Sequence, residues 1–79
     1  MKHARDDYNR IQDPAGRIPD DEPVFLLRGQ DVLAAAIVRA YANSAALAGS
    51  HEIARVSMEW ADNMDAWRES HGGGKLPDM

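Results

Sequence analysis

Two helical segments between Asp31 and Ser70, separated at Ala48-Gly49-Ser50, constrain the fold of this chain more than any other feature. In each segment, apolar and small residues recur at alternating steps of four and three, the spacing that places side chains on one face of an α-helix. Because the connection is so short, the segments should fold back on each other as an antiparallel helical hairpin. The predicted stripes are Leu33, Ile37, Ala40, Ser44 and Leu47 in the first segment and Ile53, Ser57, Trp60, Met64 and Trp67 in the second.

The sequence around the hairpin divides the chain into three parts. Residues 1–30 form a predicted N-terminal arm, residues 31–71 the hairpin, and residues 72–79 a flexible tail that starts with three glycines. Proline disfavours helix in the residue before it, so the proline-interrupted arm should be irregular or extended and should pack on the hairpin. The predicted fold class is mainly all-α.

Residues with strong end-of-helix preferences support these boundaries. Asp31 is the expected N-cap of the first helix, because its carboxylate can accept hydrogen bonds from the free amides of the first turn. Gly49 is expected in the left-handed conformation after that helix, and Ser50 is the expected N-cap of the second. Ser44 and Ser57, midway along the stripes, should face each other across the hairpin.

The apolar run Val24-Phe25-Leu26-Leu27 is too short for a helix and is either a strand or an extended arm. A strand needs an edge to pair with, and the sequence indicates no second strand unless another copy of the chain supplies one. We therefore expect an extended arm that lies across the hairpin, with either Phe25 and Leu27 or Val24 and Leu26 buried.

Length and composition limit what such a fold can do. A chain of 79 residues without cysteine has a marginal core and no disulfide, so association with a second copy as a homodimer, or with another protein, is expected. The longest apolar run falls far short of the roughly 20 residues that span a bilayer, and the first residues are charged, so we expect a cytoplasmic protein without membrane contact. The net charge of −4 disfavours direct nucleic-acid binding and favours a protein partner with a basic surface.

Patterns that indicate catalysis are absent from the sequence. Acid–base catalysis needs carboxylates held in a cleft that shifts their pKa values, and a helical hairpin predicts no such cleft. The run Gly72-Gly73-Gly74 lacks the strand and the lysine of a phosphate-binding loop. We expect no enzyme activity, no cofactor and no metal.

Acidic residues are the candidate partner-binding groups. They could present carboxylates at spacings similar to those of DNA phosphates and so compete for a basic nucleic-acid groove. The alternative is an ordinary solvated face, and Arg55 and Arg68 interrupt the pattern. Trp60 and Trp67 are expected in the core, with Trp67 as the alternative exposed anchor. The candidate residues are Asp20, Asp21, Glu22, Glu59, Asp62, Asp65 and Glu69.

The segment from Asp7 to Asp31 contains the runs Ile-Gln-Asp-Pro and Ile-Pro-Asp-Asp-Glu-Pro-Val-Phe-Leu-Leu-Arg-Gly-Gln-Asp. It resembles a motif of a family of small uncharacterised proteins from proteobacteria and their phages, which implies no reaction. The size and acidity of the chain are also similar to those of anti-CRISPR proteins. That resemblance implies a phage-encoded inhibitor that binds a type I CRISPR surveillance complex in the host cytoplasm and blocks its binding of target DNA.

Two other functions fit the sequence. The first is a small oligomeric structural or accessory protein of a phage or bacterium, in which Phe25 and Leu27 of the arm control association. The second is a DNA-binding regulator that uses the two helices as a helix-turn-helix. Only Arg39, Arg55 and Arg68 lie on those helices, too few for the usual phosphate contacts.

Overall fold

The computed structural model describes residues 2–3 and 13–76. Residues 4–12, which hold much of the first half of the sequence motif, and residues 77–79 of the predicted tail lie outside this description. The two helices pack against each other, so the predicted mainly helical fold and its hairpin are confirmed. The elements in chain order are the strands β1 (Lys2–His3) and β2 (Pro23–Val24) and the helices α1 (Ala34–Leu47) and α2 (His51–Ser70).

The connection between the helices is a tight turn closed by backbone hydrogen bonds. Gly49 has a φ of 88°, in the left-handed region that favours glycine. The N–H of Gly49 donates to the Ala46 carbonyl at 3.0 Å, and the N–H of Ser50 donates to the Ala45 carbonyl at 2.8 Å. This pair of bonds is a Schellman motif, which satisfies carbonyls left free at a helix end. The role predicted for Gly49 is confirmed.

The helix starts differ in detail from the predicted caps. α1 begins at Ala34, and Asp31 lies in the turn before it, where its Oδ1 accepts a hydrogen bond from the Leu33 amide at 2.8 Å. Ser50 does occupy the N-cap position of α2, but its side chain forms no capping hydrogen bond. Glu52 in the first turn complements the dipole of α2 instead.

Small side chains form the seam between the helices. The buried hydrophobic residues among those described are all alanines, and no large side chain is fully buried. Alanine is the strongest helix former and lets two helix backbones approach closely. The buried alanines are Ala34, Ala35, Ala42 and Ala61, and the half-buried residues that extend the seam include Val38, Ala45, Ala54 and Ser57.

The predicted packing stripe of α1 is wrong. Ile37 is 50% exposed and Leu47 is 92% exposed, and the other three members of the stripe are exposed as well. At about 100° per residue this stripe lies on the side of α1 opposite the alanine seam. Ser44 is therefore exposed and does not face Ser57, which is half-buried. The close approach of the backbones selects the face that carries alanine over the face that carries larger side chains.

The predicted stripe of α2 is buried only in part. Ser57 and Met64 are half-buried, whereas Ile53, Trp60 and Trp67 are exposed. Trp60 is 60% exposed and Trp67 is 45% exposed, so the expectation that both belong to the core is wrong. The large side chains of α2 lie beside the seam and not in it.

The arm pairs with the beginning of the chain. β2 runs parallel to β1, with Lys2 opposite Pro23 and His3 opposite Val24. The N–H of Lys2 donates to the Glu22 carbonyl at 2.7 Å. The expectation that the chain supplies no second strand is wrong, because the partner lies about twenty residues earlier, outside the range of local patterns.

The apolar run of the arm is partly buried. Val24, Leu26 and Leu27 are half-buried, which agrees with one of the two expected pairs. Phe25 is 73% exposed, so the alternative in which Phe25 is buried is wrong.

The chain after α2 returns to the start of α1. The N–H of Lys75 donates to the Gln30 carbonyl at 2.8 Å, and the N–H of Val32 donates to the Lys75 carbonyl at 2.9 Å. Gly74 has a φ of 79°, and a Cβ there would lie 2.2 Å from Cδ of Arg68. The first residues of the predicted flexible tail are therefore anchored by backbone hydrogen bonds.

A larger side chain in the alanine seam should destabilise the hairpin. We expect Ala61→Leu to lower the free energy of unfolding by about 1–3 kcal/mol, because the two helix backbones leave no room for the added atoms. Ala40→Leu makes the same change on the exposed side of α1 and should alter the free energy of unfolding by no more than about 0.5 kcal/mol. Urea unfolding followed by circular dichroism measures both, and equal stability of the two variants would contradict this seam.

Candidate interaction surfaces

The two sides of the hairpin differ in charge. Counting about 100° per residue away from Ala42 and Ala61 in the seam assigns each remaining side chain to one side of the hairpin. In an antiparallel pair, turning in the same sense from the seam reaches the same side on both helices. The ion pairs of Arg39 in α1 with Asp62 and Asp65 in α2 agree with this assignment. The side of the hairpin that carries Arg39, Asp62 and Asp65 is thus the polar side.

The other side carries large apolar residues and no charge. We call it the uncharged face and define it by six residues, which are all exposed. Its centre is formed by Tyr41 of α1 and Trp60 of α2, which are 61% and 60% exposed. Asn63 and Ser44 at its margin are uncharged as well. The six residues are Ile37, Tyr41, Ile53, Val56, Trp60 and Trp67.

The arm covers one end of the uncharged face. Gly29 of the arm lies directly over α2, where a Cβ on Gly29 would be 3.8 Å from Cα of Met64 and 3.9 Å from Cε3 of Trp67. Between the arm and the helix lies a groove of about 360 Å³. Its walls are residues 27–30 of the arm and Trp60, Asn63, Met64 and Trp67 of α2. The groove is continuous with the uncharged face through Trp60 and Trp67.

Trp67 also stacks on the ring of His71, with a distance of 3.9 Å between the ring centroids. His71 Nδ1 lies 2.7 Å from the Trp67 carbonyl oxygen and 2.9 Å from the Ser70 hydroxyl. These contacts cap the C-terminal end of α2 and hold one edge of the Trp67 ring, so this tryptophan is fixed in orientation although it is 45% exposed.

Arg39 links the two helices on the polar side. Its Nη2 donates to Asp62 Oδ1 at 2.9 Å and to Asp65 Oδ2 at 2.5 Å. Asp65 also accepts a hydrogen bond from Arg68. The hydrogen bonds from Arg39, and then those from Arg68, hold the pKa of the Asp65 carboxyl below its usual value. The hydrogen bonds to Asp62 and Asp65 raise the pKa of Arg39.

A second arginine, Arg55, pairs with two glutamates on the outer surface of α2. Arg55 donates hydrogen bonds to Glu52, three residues earlier, and to Glu59 Oε1, four residues later, at 2.6 Å. The hydrogen bond from Arg55 lowers the pKa of Glu52, and Glu52 and then Glu59 raise the pKa of Arg55. Pairs at these spacings stabilise a helix modestly, and Arg55 reduces the charge of the two glutamates from −2 to a net −1.

The predicted partner-binding acids therefore divide into two groups. Glu59, Asp62 and Asp65 are bound to arginines of the same chain. Asp20, Asp21 and Glu22 lie in the exposed turn before β2, and Glu69 lies near the end of α2. Within residues 13–76, the side chains of Asp21, Glu22 and Glu69 form no hydrogen bond or ion pair.

The two predicted stripes placed Ile37, Trp60 and Trp67 in the hairpin core, so they did not indicate the uncharged face. Tyr41 and Val56 belonged to neither predicted stripe. The feature of the sequence that could have indicated the uncharged face is the absence of charged residues along a second helical face of each segment. That face follows steps of three and four through Ile53, Val56 and Trp60.

Comparison with models of protein families, with curated proteins and with solved structures found no match to this chain. Among the described residues, no cluster of three or more His, Asp or Glu side chains could hold a metal ion. Neither α1 nor α2 is long and apolar enough to cross a membrane.

Arg39→Gln should change how stability depends on pH. The lowered pKa of Asp65 means that its carboxylate stabilises the fold above the unfolded-state pKa of about 3.9, and that this contribution is lost as the pH falls through the lower folded-state value. The difference in unfolding free energy between the original chain and the variant should therefore be constant above about pH 5 and should narrow below about pH 4.

Arg17→Gln is the matched control for this measurement, because Arg17 is exposed in the loop before β2 and forms none of these bonds. It should leave the stability curve unchanged between pH 3 and pH 7. A difference for Arg39→Gln that does not depend on pH would contradict a stabilising role of the Asp65 carboxylate.

Proposed function

We propose that this chain is a small non-catalytic protein that associates with a protein partner through its uncharged face. The observation that carries the proposal is the exposure of Tyr41 and Trp60, at 61% and 60%, in the middle of a side of the hairpin without charged residues. Aromatic residues with this degree of exposure at the centre of an apolar surface are typical of residues that dominate a protein interface.

The size of the face supports an interface. An aromatic side chain of this kind contributes roughly 150–250 Å² when fully buried, so Tyr41, Trp60 and Trp67 together leave roughly 250–400 Å² exposed. The aliphatic residues Ile37, Ile53 and Val56, which are 41–50% exposed, extend the area. The total reaches or exceeds the roughly 300–600 Å² of the largest apolar patch on a typical monomer.

A second candidate function is inhibition of a host nucleoprotein complex, and for a phage protein the proposed target is a type I CRISPR surveillance complex. The observation that favours it is the exposed acidic turn at Asp20, Asp21 and Glu22, together with Glu69, in a chain of net charge −4. Arginines of the same chain already bind Glu59, Asp62 and Asp65, so Asp21, Glu22 and Glu69 would carry the attraction to a basic surface. This function places its partner on a different surface from the uncharged face.

The two candidates predict opposite effects of salt and of substitution in a binding experiment. Tagged chain is incubated with host lysate, and the bound proteins are identified by mass spectrometry at low and at high salt. For association through the uncharged face, Trp60→Glu should abolish capture, and capture by the original chain should survive high salt. Leu47→Glu is the control, since Leu47 is 92% exposed but lies away from this face.

For the inhibitor, the triple variant Asp21→Lys, Glu22→Lys, Glu69→Lys should lose its partner, and salt should release the partner from the original chain. Capture that survives both Trp60→Glu and the triple variant would contradict both candidates. Circular dichroism of each variant verifies that the helices are retained.

A further inference from the structure

The helical hairpin by itself lacks the buried side chains that normally stabilise a domain. The buried hydrophobic residues in the described part of the chain are four alanines, and no large side chain is fully buried. A chain of 79 residues has a marginal core in any case, and chains of this size commonly gain stability from disulfides, metals or oligomerisation. Without cysteine, this chain has no disulfide. Most of the large apolar side chains within residues 13–76 are thus exposed.

Each helix carries a second seam next to the alanine seam. In α2 it runs through Ile53, Val56, Trp60, Asn63 and Trp67, and the steps of three and four are those of a heptad. α1 repeats the pattern on the same side of the hairpin. Helices with two adjacent seams are typical of four-helix bundles, in which each helix packs against two neighbours. The corresponding residues are Ile37, Tyr41 and Ser44 of α1 and Ala48 directly after it, and the pattern begins at Ala34, which is already buried in the alanine seam.

We propose that the partner of the uncharged face is a second copy of this chain, and that two hairpins form a four-helix bundle with the loops at opposite ends. The inference rests on the proposed association through the uncharged face and adds its occupant. A twofold dimer requires a surface that is complementary to itself. In the proposed arrangement Tyr41 and Trp60, which lie midway along their helices, meet the same residues of the second copy.

The area of the face is of the size that a dimer needs. Each partner in a standard interface contributes roughly 800 Å². The six residues of the uncharged face, together with the half-buried Leu27 in the wall of the groove, approach that area. Homodimer interfaces are also the most apolar class of interface, which agrees with a face that lacks charge.

Charge does not oppose burial of this face. Arg39, Asp62 and Asp65 lie on the other side of the hairpin, where they are paired with one another. Arg28 of the arm is exposed at the wall of the groove and can keep its guanidinium in water at the rim of the interface. Among residues 13–76, no charged group therefore needs to lose its hydration when two copies associate.

The shape of the face determines which ends meet. At one end the arm stands on α2, with Gly29 against Met64 and Trp67. At the loop end the same side presents the exposed small residues Ala48 and, at its margin, Ser44. Two copies with their loops at the same end would bring arm against arm, whereas loops at opposite ends place each arm over the small residues of the other copy.

Sedimentation equilibrium of the full chain tests the proposal. The original chain should have twice the chain mass of 8.7 kDa at micromolar concentration, and its melting temperature should rise with protein concentration, because mass action favours the dimer. Trp60→Glu should give the single-chain mass, or should raise the dissociation constant at least a hundredfold. Leu47→Glu, off the face and 92% exposed, should remain dimeric.

The concentration dependence of melting requires no variant, so it decides the question even where Trp60→Glu unfolds. A single-chain mass for the original chain up to millimolar concentration, or a dimer that is unaffected by Trp60→Glu, would overturn the proposal. If the original chain is monomeric while Trp60→Glu still abolishes capture of another protein, the uncharged face binds but its occupant is that protein. If neither a dimer nor Trp60-dependent capture is found, the proposed function fails as well.

The relative orientation of the two hairpins in the dimer can be measured as the distance between two spin labels. The chain contains no cysteine, so Ser50→Cys provides a single site for a spin label in the loop. With the loops at opposite ends of helices of 20 residues, the two labels should lie roughly 30 Å apart, at about 1.5 Å per residue. A distance below 20 Å would show the loops at the same end and overturn the proposed arrangement.

Discussion

The packing of α1 against α2 along a seam of small side chains is the interaction on which the rest of this structure depends. Ala42 and Ala61 are buried at the seam, and their small side chains allow the two backbones to approach each other. Such a seam buries little apolar area, so its stabilisation from burial is small. It also leaves no room for the tryptophans, the tyrosine and the isoleucines, which must lie on the outer surfaces of the helices. The exposed apolar face follows directly from the choice of alanine in the seam.

The segments before and after the hairpin pass close to α2 at two glycines. Gly29 allows the arm to pass against Met64 and Trp67, and Gly74 allows the chain after α2 to pass Arg68 on its return to Gln30. Both are positions of close approach, which glycine permits because it has no Cβ. The arm thus adds apolar cover to one end of the hairpin and leaves the loop end open. This asymmetry gives the uncharged face its shape.

The charged groups of the helices are largely paired with one another. Arg39 joins the two helices through Asp62 and Asp65, and Arg55 binds Glu52 and Glu59 within α2. Exposed pairs of this kind contribute little to stability, but they reduce the charge that α2 can offer to a basic partner. The charged side chains of the polar side therefore bind one another within the chain, whereas the large side chains of the uncharged face remain exposed. That difference is why we locate the proposed association on the uncharged face.

The sequence by itself determined the hairpin, its turn and the end of α2. Periodicity fixed the two helices, and Gly49 fixed the turn, because only glycine readily adopts its positive φ. The tertiary structure decided which face of each helix is buried, since steps of three and four fit two adjacent faces equally well. It also decided the pairing of β1 with β2 and the binding of Asp62 and Asp65 by Arg39. These contacts join residues about twenty positions apart, and local sequence patterns carry no information on such distances.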